Sequence, residues 1–254
     1  LCHDSSSSNN NNNNGSSIIS SSSSSSIVET TNDENEGVPR IRYEKCDVTD
    51  PQQVQQLVSA SDAFAAAVSP DQPRATILVN CAGITRDALL QDMTLEAFDE
   101  VINVNLRGTY LTCRAFLDPS RRKNTDPNKE PTIIMNKLSI VNIGSVVSEW
   151  GNVGQVNYAA SKGGVVGLTR AIAREMTFRG EMVGRCNAVL PGFISTQMTD
   201  AVPSKIRESF RKKIPLGTFG EPHDVANLVA FLCSSQRSGY MTGQCIKCDG
   251  MISL

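Results

Sequence analysis

Tyr158 and Lys162 stand four residues apart in a stretch of helical periodicity. That spacing puts them on one helix face, about 6 Å apart along the axis. An ammonium beside a phenol favours the phenolate, so Lys162 is expected to lower the Tyr158 pKa from near 10 towards the working pH. A group tuned in that way is a general acid or base. Ser145 lies thirteen residues before Tyr158, at the tip of the apolar run Leu138 to Ile143, where its hydroxyl can hold an oxygen. Phenol, ammonium and hydroxyl together can fix a carbonyl and hand its oxygen a proton while a hydride arrives from elsewhere. No metal is needed for that chemistry. A tyrosine and a lysine at this spacing also occur on ordinary solvated helices, so the pair gains weight only from its company. That company is Asn80-Cys81-Ala82-Gly83 after Ile77-Leu78-Val79, Gly144-Ser145 after Ile143, and Pro191-Gly192-Phe193-Ile194 after a strand ending at Leu190.

These groups need elements to carry them. Asp50-Pro51 reads as an N-cap followed by proline at the first helical position. The helix it opens carries Val54, Leu57, Val58 and Phe64 on its apolar side. Strands are expected at 41–46, 76–79, 138–143, 186–190 and 245–247, and helices at 95–116, 158–179 and 222–234. Nearly continuous apolar strands alternating with helices imply a parallel sheet covered on both faces. The expected fold is therefore α/β, a doubly wound parallel sheet of Rossmann-like form. All four motifs then stand at the carboxyl ends of strands, where such sheets bind ligands. Residues 119–131 form a polar, proline-rich surface loop.

Residues 5–37 are almost entirely serine, asparagine and acidic residues, with runs at Asn9 to Asn14 and Ser20 to Ser26. Such a segment cannot bury enough apolar area to offset the entropy of ordering it, and is expected to be a disordered insertion. The chain of 254 residues is long enough for one large domain, and its hydrophobic (39%) and charged (20%) fractions are ordinary for a soluble protein. A net charge of −2 gives no global field for nucleic acid or an anionic membrane, and no apolar run reaches the roughly 18 residues that span a bilayer. Eight cysteines are spread through apolar segments, the pattern of reduced thiols in a reducing compartment. Cys245-x-x-Cys248 has the spacing of half a zinc site, but no second pair follows and His3 and His223 are the only histidines, so no metal is expected.

From about residue 40 to the end, the ordered set Asn-x-Ala-Gly, Ser, Tyr-x-x-x-Lys and Pro-Gly resembles the short-chain dehydrogenase/reductase family. The resemblance implies a catalytic set of Asn105, Ser145, Tyr158 and Lys162. Asn105 would hold a water in the proton relay, and Lys162 would also bind the nicotinamide ribose. It further implies cofactor contacts from Asp47, Asn80, Ala82, Gly83, Pro191, Gly192, Ile194 and Thr196. Three stretches, Gly151 to Gln155, Val189 to Ile194 and Ser238 to Gly243, are most similar to the branch of 3-oxoacyl-acyl-carrier-protein reductases and 17β-hydroxysteroid dehydrogenases. That likeness implies reduction of a 3-oxoacyl thioester, linked to acyl carrier protein or coenzyme A, with possible oxidation of 17β-hydroxysteroids. It implies a tetramer, of one chain or with a related subunit, built on the Tyr158 helix and the last strand, while NAD(H) in preference to NADP(H) is expected from the acidic Asp4. It suggests the mitochondrial matrix. Arg179 stands where family members dock an acidic carrier, although a solvated cation at a helix C-terminus reads equally well. The segment Val202 to Pro215, with Lys205, Arg207, Arg211, Lys212 and Lys213, would cover the substrate. Its charges suit an acidic carrier, coenzyme A phosphates or plain solvation. Trp150 is expected to pack rather than to stack on a ligand.

One departure from the family pattern is large. Family members open with a strand, a Gly-rich turn and a helix whose N-terminus receives the pyrophosphate, and this sequence has no such segment. Leu1 to Asp4 resembles the end of a second strand, where Asp4 (or His3) would meet the adenosine ribose. The organisation expected is residues 1–4 as a strand remnant, 5–37 as the insertion and 38–254 as the catalytic core. The sheet would lack its first strand, residues 41–45 would lose their usual pairing, and the chain as written would be truncated and bind dinucleotide poorly. A noncatalytic subunit of a reductase oligomer is the competing reading. A nucleic-acid-binding module is disfavoured by the absence of a basic stripe with interleaved aromatics.

Overall fold

The computed structural model describes residues 17–20, 42–69, 74–122, 138–178, 184–196 and 204–252. Among these, five strands form one parallel sheet in the order β1-β2-β3-β4-β5: β1 (Ser17–Ser20), β2 (Ile77–Asn80), β3 (Leu138–Ile143), β4 (Gly184–Pro191) and β5 (Cys245–Cys248). Helices α1 (Pro51–Val68), α2 (Leu95–Ile102), α3 (Thr109–Phe116), α4 (Val147–Trp150), α5 (Val156–Phe178), α6 (Ser204–Arg211), α7 (Pro222–Cys233) and α8 (Ser235–Ser238) fill the connections. The expected doubly wound α/β architecture is therefore present.

Alternation along the strands divides the core into two layers, because successive residues point to opposite faces. Ile140 packs with Val54, Val58, Leu78, Phe116 and Met176 under α1, α3 and α5. Its neighbour Val141 packs with Val189 and Leu232 beneath α7 on the other face. Burying each such side chain contributes about 1.5–3 kcal/mol. In α5 the buried residues Asn157, Ser161, Lys162, Val165, Thr169, Ile172, Ala173 and Met176 recur at helical spacing. One side of that helix is therefore buried, against β4 and against α2 and α4. The Asp50 cap is as expected: its carboxylate accepts from the amides of Gln52 and Gln53, with Pro51 opening the helix.

Three sequence expectations change. Ser17–Ser20 lies inside the stretch expected to carry no structure, yet it pairs in parallel with Ile77–Asn80 on the edge opposite β3. The sheet is thus not bare beside β2. A parallel ladder is made by backbone groups, so a short serine-rich segment around the β-branched pair Ile18-Ile19 can supply it. Residues 42–46 form no strand, because a strand needs a neighbour for its amides and carbonyls and none lies beside them among the described residues. The helix expected over 95–116 is broken by a π-helical turn at Asn103–Gly108. Such turns insert an extra residue and often mark functional sites. Here the turn holds Asn105.

Candidate active site

Ser145 follows β3 directly, and its Oγ accepts a hydrogen bond from the Val147 amide (3.2 Å) at the start of α4. The Ser145 hydroxyl stands close enough to the Tyr158 phenol to favour its ionised form. Lys162 lies one turn further along α5, its ammonium 5.7 Å from the centre of the Tyr158 ring. The ammonium donates to the Ile143 carbonyl at 2.8 Å, which ties the helix to the last residue of β3. Lys162 is only 4% exposed and Ser145 7%. Phenol, ammonium and hydroxyl therefore converge at the carboxyl end of β3, as their spacing implies.

The electrostatics differ from the expectation. The Tyr158 pKa is raised, not lowered: burial is the leading cause, the Ser145 hydroxyl pulls it back, and the Asp87 carboxylate pushes it up further. Burial also depresses Lys162, from 10.5 to about 8. Removing solvent disfavours the charged form of both groups, and this outweighs the help that an ammonium gives a phenolate. The consequence is a phenol that keeps its proton at neutral pH, as a proton donor must. Lys162 is still mainly a cation there.

Asn105 is held by three partners. Its amide nitrogen donates to the Ile84 carbonyl and to Ser161 Oγ, both at 3.0 Å, while its Oδ1 accepts from the Ile84 amide at 2.8 Å. Its backbone carbonyl accepts from Thr109 Oγ1 at 2.7 Å, within the π turn. Ser161 in turn donates to the Tyr158 carbonyl at 2.8 Å. The sequence pattern does not single out Ser161, although it stands three residues after Tyr158 and so faces the same side. Nor does it single out Asn157, whose amide donates to the Arg86 and Ala97 carbonyls and so fixes the start of the tyrosine helix.

The remaining residues separate by place. Gly83 belongs to the site: a Cβ there would lie 3.4 Å from both Asn105 Oδ1 and the Lys162 ammonium. Ala82 is buried beside it. Pro191 ends β4 with its carbonyl on the Val146 amide (3.1 Å), and Gly192 passes so near Asp249 that a Cβ would come 2.7 Å from its Cα. Ile194 bridges to Gly220, and Thr196 is exposed beyond it. Asn80 does not join the cofactor-facing group. Its side chain turns into the core, where it donates to Asn142 Oδ1 (2.8 Å) and accepts from Thr112 Oγ1 (2.7 Å). A buried amide must be satisfied, and this network satisfies it. Asp47 spends its carboxylate on its own turn, accepting from the Thr49 amide and hydroxyl. Asp4 and Arg179 lie outside the described residues. Trp150 is half-exposed, with the Lys247 ammonium 4.5 Å from its ring centre.

Known proteins are similar to this chain in sequence. The (3R)-3-hydroxyacyl-CoA dehydrogenases of Rattus norvegicus and Homo sapiens are each 45% identical, over 175 and 177 residues, about 69% of this chain. The chain spans 62% of the length of the rat protein and 61% of the human one. The 3-oxoacyl-[acyl-carrier-protein] reductase of Thermotoga maritima is 43% identical over 219 residues, 85% of this chain and 79% of its own. The family described as enoyl-(acyl carrier protein) reductase matches residues 11–251. With the serine, tyrosine and lysine joined at one strand end, this match places the chain in the short-chain dehydrogenase/reductase family.

Proposed function

We propose that the protein reduces the 3-oxo group of an acyl thioester to a 3-hydroxyl with a nicotinamide cofactor. The observation that carries the reading is the Ser145–Tyr158 hydroxyl pair with the Lys162 ammonium one helical turn away. The names of the relatives supply the substrate class. A bound nicotinamide dinucleotide would supply the hydride. The residues fit its nicotinamide half: Lys162 spends one donor on Ile143 and keeps others for ribose hydroxyls, and Gly83 leaves room above it. No comparable cradle for a pyrophosphate stands among the described residues. NAD(H) in preference to NADP(H) rests on the acidic Asp4.

The protein's own groups divide the work. Ser145 holds the substrate oxygen. Tyr158, kept protonated by burial, donates its proton to that oxygen as charge develops on it. The Lys162 cation stabilises the phenolate left behind, an interaction strengthened by the lack of solvent around it. Asn105, pinned to Ile84 and Ser161, keeps its π turn open beside Lys162 and Gly83.

The test compares turnover of a 3-oxoacyl thioester with that of a 17-oxosteroid, before and after Tyr158→Phe. The variant should lose about 10²–10⁴-fold in kcat on the thioester, the usual scale for removing a general acid, while its circular dichroism stays unchanged. Undiminished activity in the phenylalanine variant would remove Tyr158 from the mechanism. We also propose a tetramer, supported by β5 ending the sheet as a partly exposed edge and by the exposed Leu90, Leu95 and Val153. Sedimentation at a monomer mass would overturn it. The mitochondrial matrix is proposed from the resemblance alone and is checked by imaging the tagged protein. No helix among the described residues is long and apolar enough to cross a membrane.

A further inference from the structure

The segment that follows Pro191-Gly192 carries its cations in a fixed place. Arg207, Arg211, Lys212 and Lys213 lie within seven residues of a chain whose net charge is −2. Over that stretch Glu208 is the sole acid, and Arg211 takes it as an i,i+3 ion pair at 2.9 Å. Among the described residues neither Lys212 nor Lys213 makes an ion pair. Solvated lysines ordinarily wander, but Lys213 is tied to the cleft by an aromatic ring, and Lys212 adjoins it in the chain. The Lys213 ammonium lies 5.6 Å from the Phe210 ring centre, and Phe210 stacks on Phe193 at 4.1 Å. The Arg207 guanidinium lies 5.8 Å from the Phe219 ring centre. Phe193 and Phe219 pack with Ile214 against Val146, the residue after Ser145. An apolar floor therefore runs from the catalytic serine to Ile214, and a basic rim begins one residue away. Arg211, Lys212, Ile214 and Gly217 line a surface pocket at that rim.

We infer that this rim binds the phosphate of the pantetheine arm that carries the acyl thioester. The proposal rests on the thioester reading of the site. Its chemistry follows from the order of the surfaces. An acyl chain and apolar arm lie on the Phe193–Ile214 floor, and the first anion of the carrier meets Lys212 and Lys213. That phosphate is shared by coenzyme A and by the prosthetic arm of an acyl carrier protein.

The test is calorimetric titration of the protein with coenzyme A, 4′-phosphopantetheine and pantetheine, none of which needs turnover or hydride cofactor. Coenzyme A and phosphopantetheine should bind, and phosphate-free pantetheine about tenfold more weakly or not at all. Coenzyme A binding tighter than phosphopantetheine would assign the extra affinity to its nucleotide phosphates, whereas equal affinities would assign recognition to the arm common to both carriers. Lys212→Glu with Lys213→Glu should raise the Kd for coenzyme A about tenfold and flatten its salt dependence, while Arg174→Glu on α5, of equal charge change per residue, should not. The milder Lys212→Gln/Lys213→Gln protein covers a charge-reversed variant that fails to fold. Pantetheine binding as tightly as coenzyme A, or a lysine variant binding coenzyme A as the parent does, would overturn the inference. Phosphate-dependent binding without thioester turnover would instead count against the reductase reading. Turnover of a phosphate-free thioester without phosphate-dependent binding would count against the rim.

Discussion

Lys162→Met gives the clearest measure of the balance that sets up the site. The ammonium is buried and held at about 8 rather than 10.5. Keeping a proton on so poor a site costs the folded protein about 3 kcal/mol at neutral pH, at about 1.4 kcal/mol per pKa unit. Methionine has nearly the same length and no charge, so it escapes that cost. It also forfeits the 2.8 Å hydrogen bond to Ile143, worth about 2 kcal/mol for a charged donor. The variant should therefore be more stable than the parent by about 1 kcal/mol at pH 7. Between about pH 8 and 10.5 the unfolded parent binds more protons than the folded one, so parent stability rises with pH in that window. The advantage of the variant should shrink there and reverse by about 2 kcal/mol near the top. Buried thiols such as Cys113, pushed up to about 12, lower stability over the same range. Thiols remote from Lys162 do so equally in both proteins and cancel in the difference, whereas Cys81, whose thiolate the Lys162 ammonium favours, does not. Urea unfolding of the pair at several pH values between 7 and 10 measures it. A stability difference that stays constant across that range would show that Lys162 is not held below its ordinary pKa, and that burial does not govern this site.

Other perturbations read separate parts of the structure. Asn105→Ala leaves the Ile84 amide and carbonyl and the Ser161 hydroxyl short of partners, and chemical denaturation should show a loss of about 2–4 kcal/mol. Thermal melts within a degree of the parent would contradict the anchoring role. Gly192→Ala would drive a Cβ to 2.7 Å from the Asp249 backbone, and should cost about 1–3 kcal/mol as overpacking against an atom that cannot swing away. The Asp50 carboxyl is held below its ordinary value by hydrogen bonds from Gln53 and Gln52, so its support of α1 is present above the unfolded pKa and fades as pH falls through the folded one. Asp50→Asn keeps a cap but removes that dependence. Protection of the Gln52 and Gln53 amides from hydrogen exchange, taken relative to their intrinsic rates, should then stop depending on acid in the variant alone.

Much of this protein is local in origin and therefore legible before any coordinates. The Asp50-Pro51 helix start, the strand at 138–143 and the 186–190 core of the strand at 184–191 follow from periodicity and capping, which depend on near neighbours along the chain. The Tyr158–Lys162 pair is of the same kind, because four residues on a helix return to one face. Features that depend on distant groups are not legible in that way. Asn80 turns inward because Asn142 and Thr112, far away in sequence, offer its amide the partners that burial demands. Ser17–Ser20 becomes a strand because the edge of β2 presents backbone groups to be paired, whatever side chains approach them. The π turn at Asn105 coincides with the grip of Ile84 and Ser161 on its side chain, and neither is a helical neighbour. Above all, residue types and spacing determined which groups meet, while the fold decided their protonation. A pKa is set by how much solvent the surrounding chain removes, and that quantity exists only once the sheet and its helices have closed around Tyr158 and Lys162.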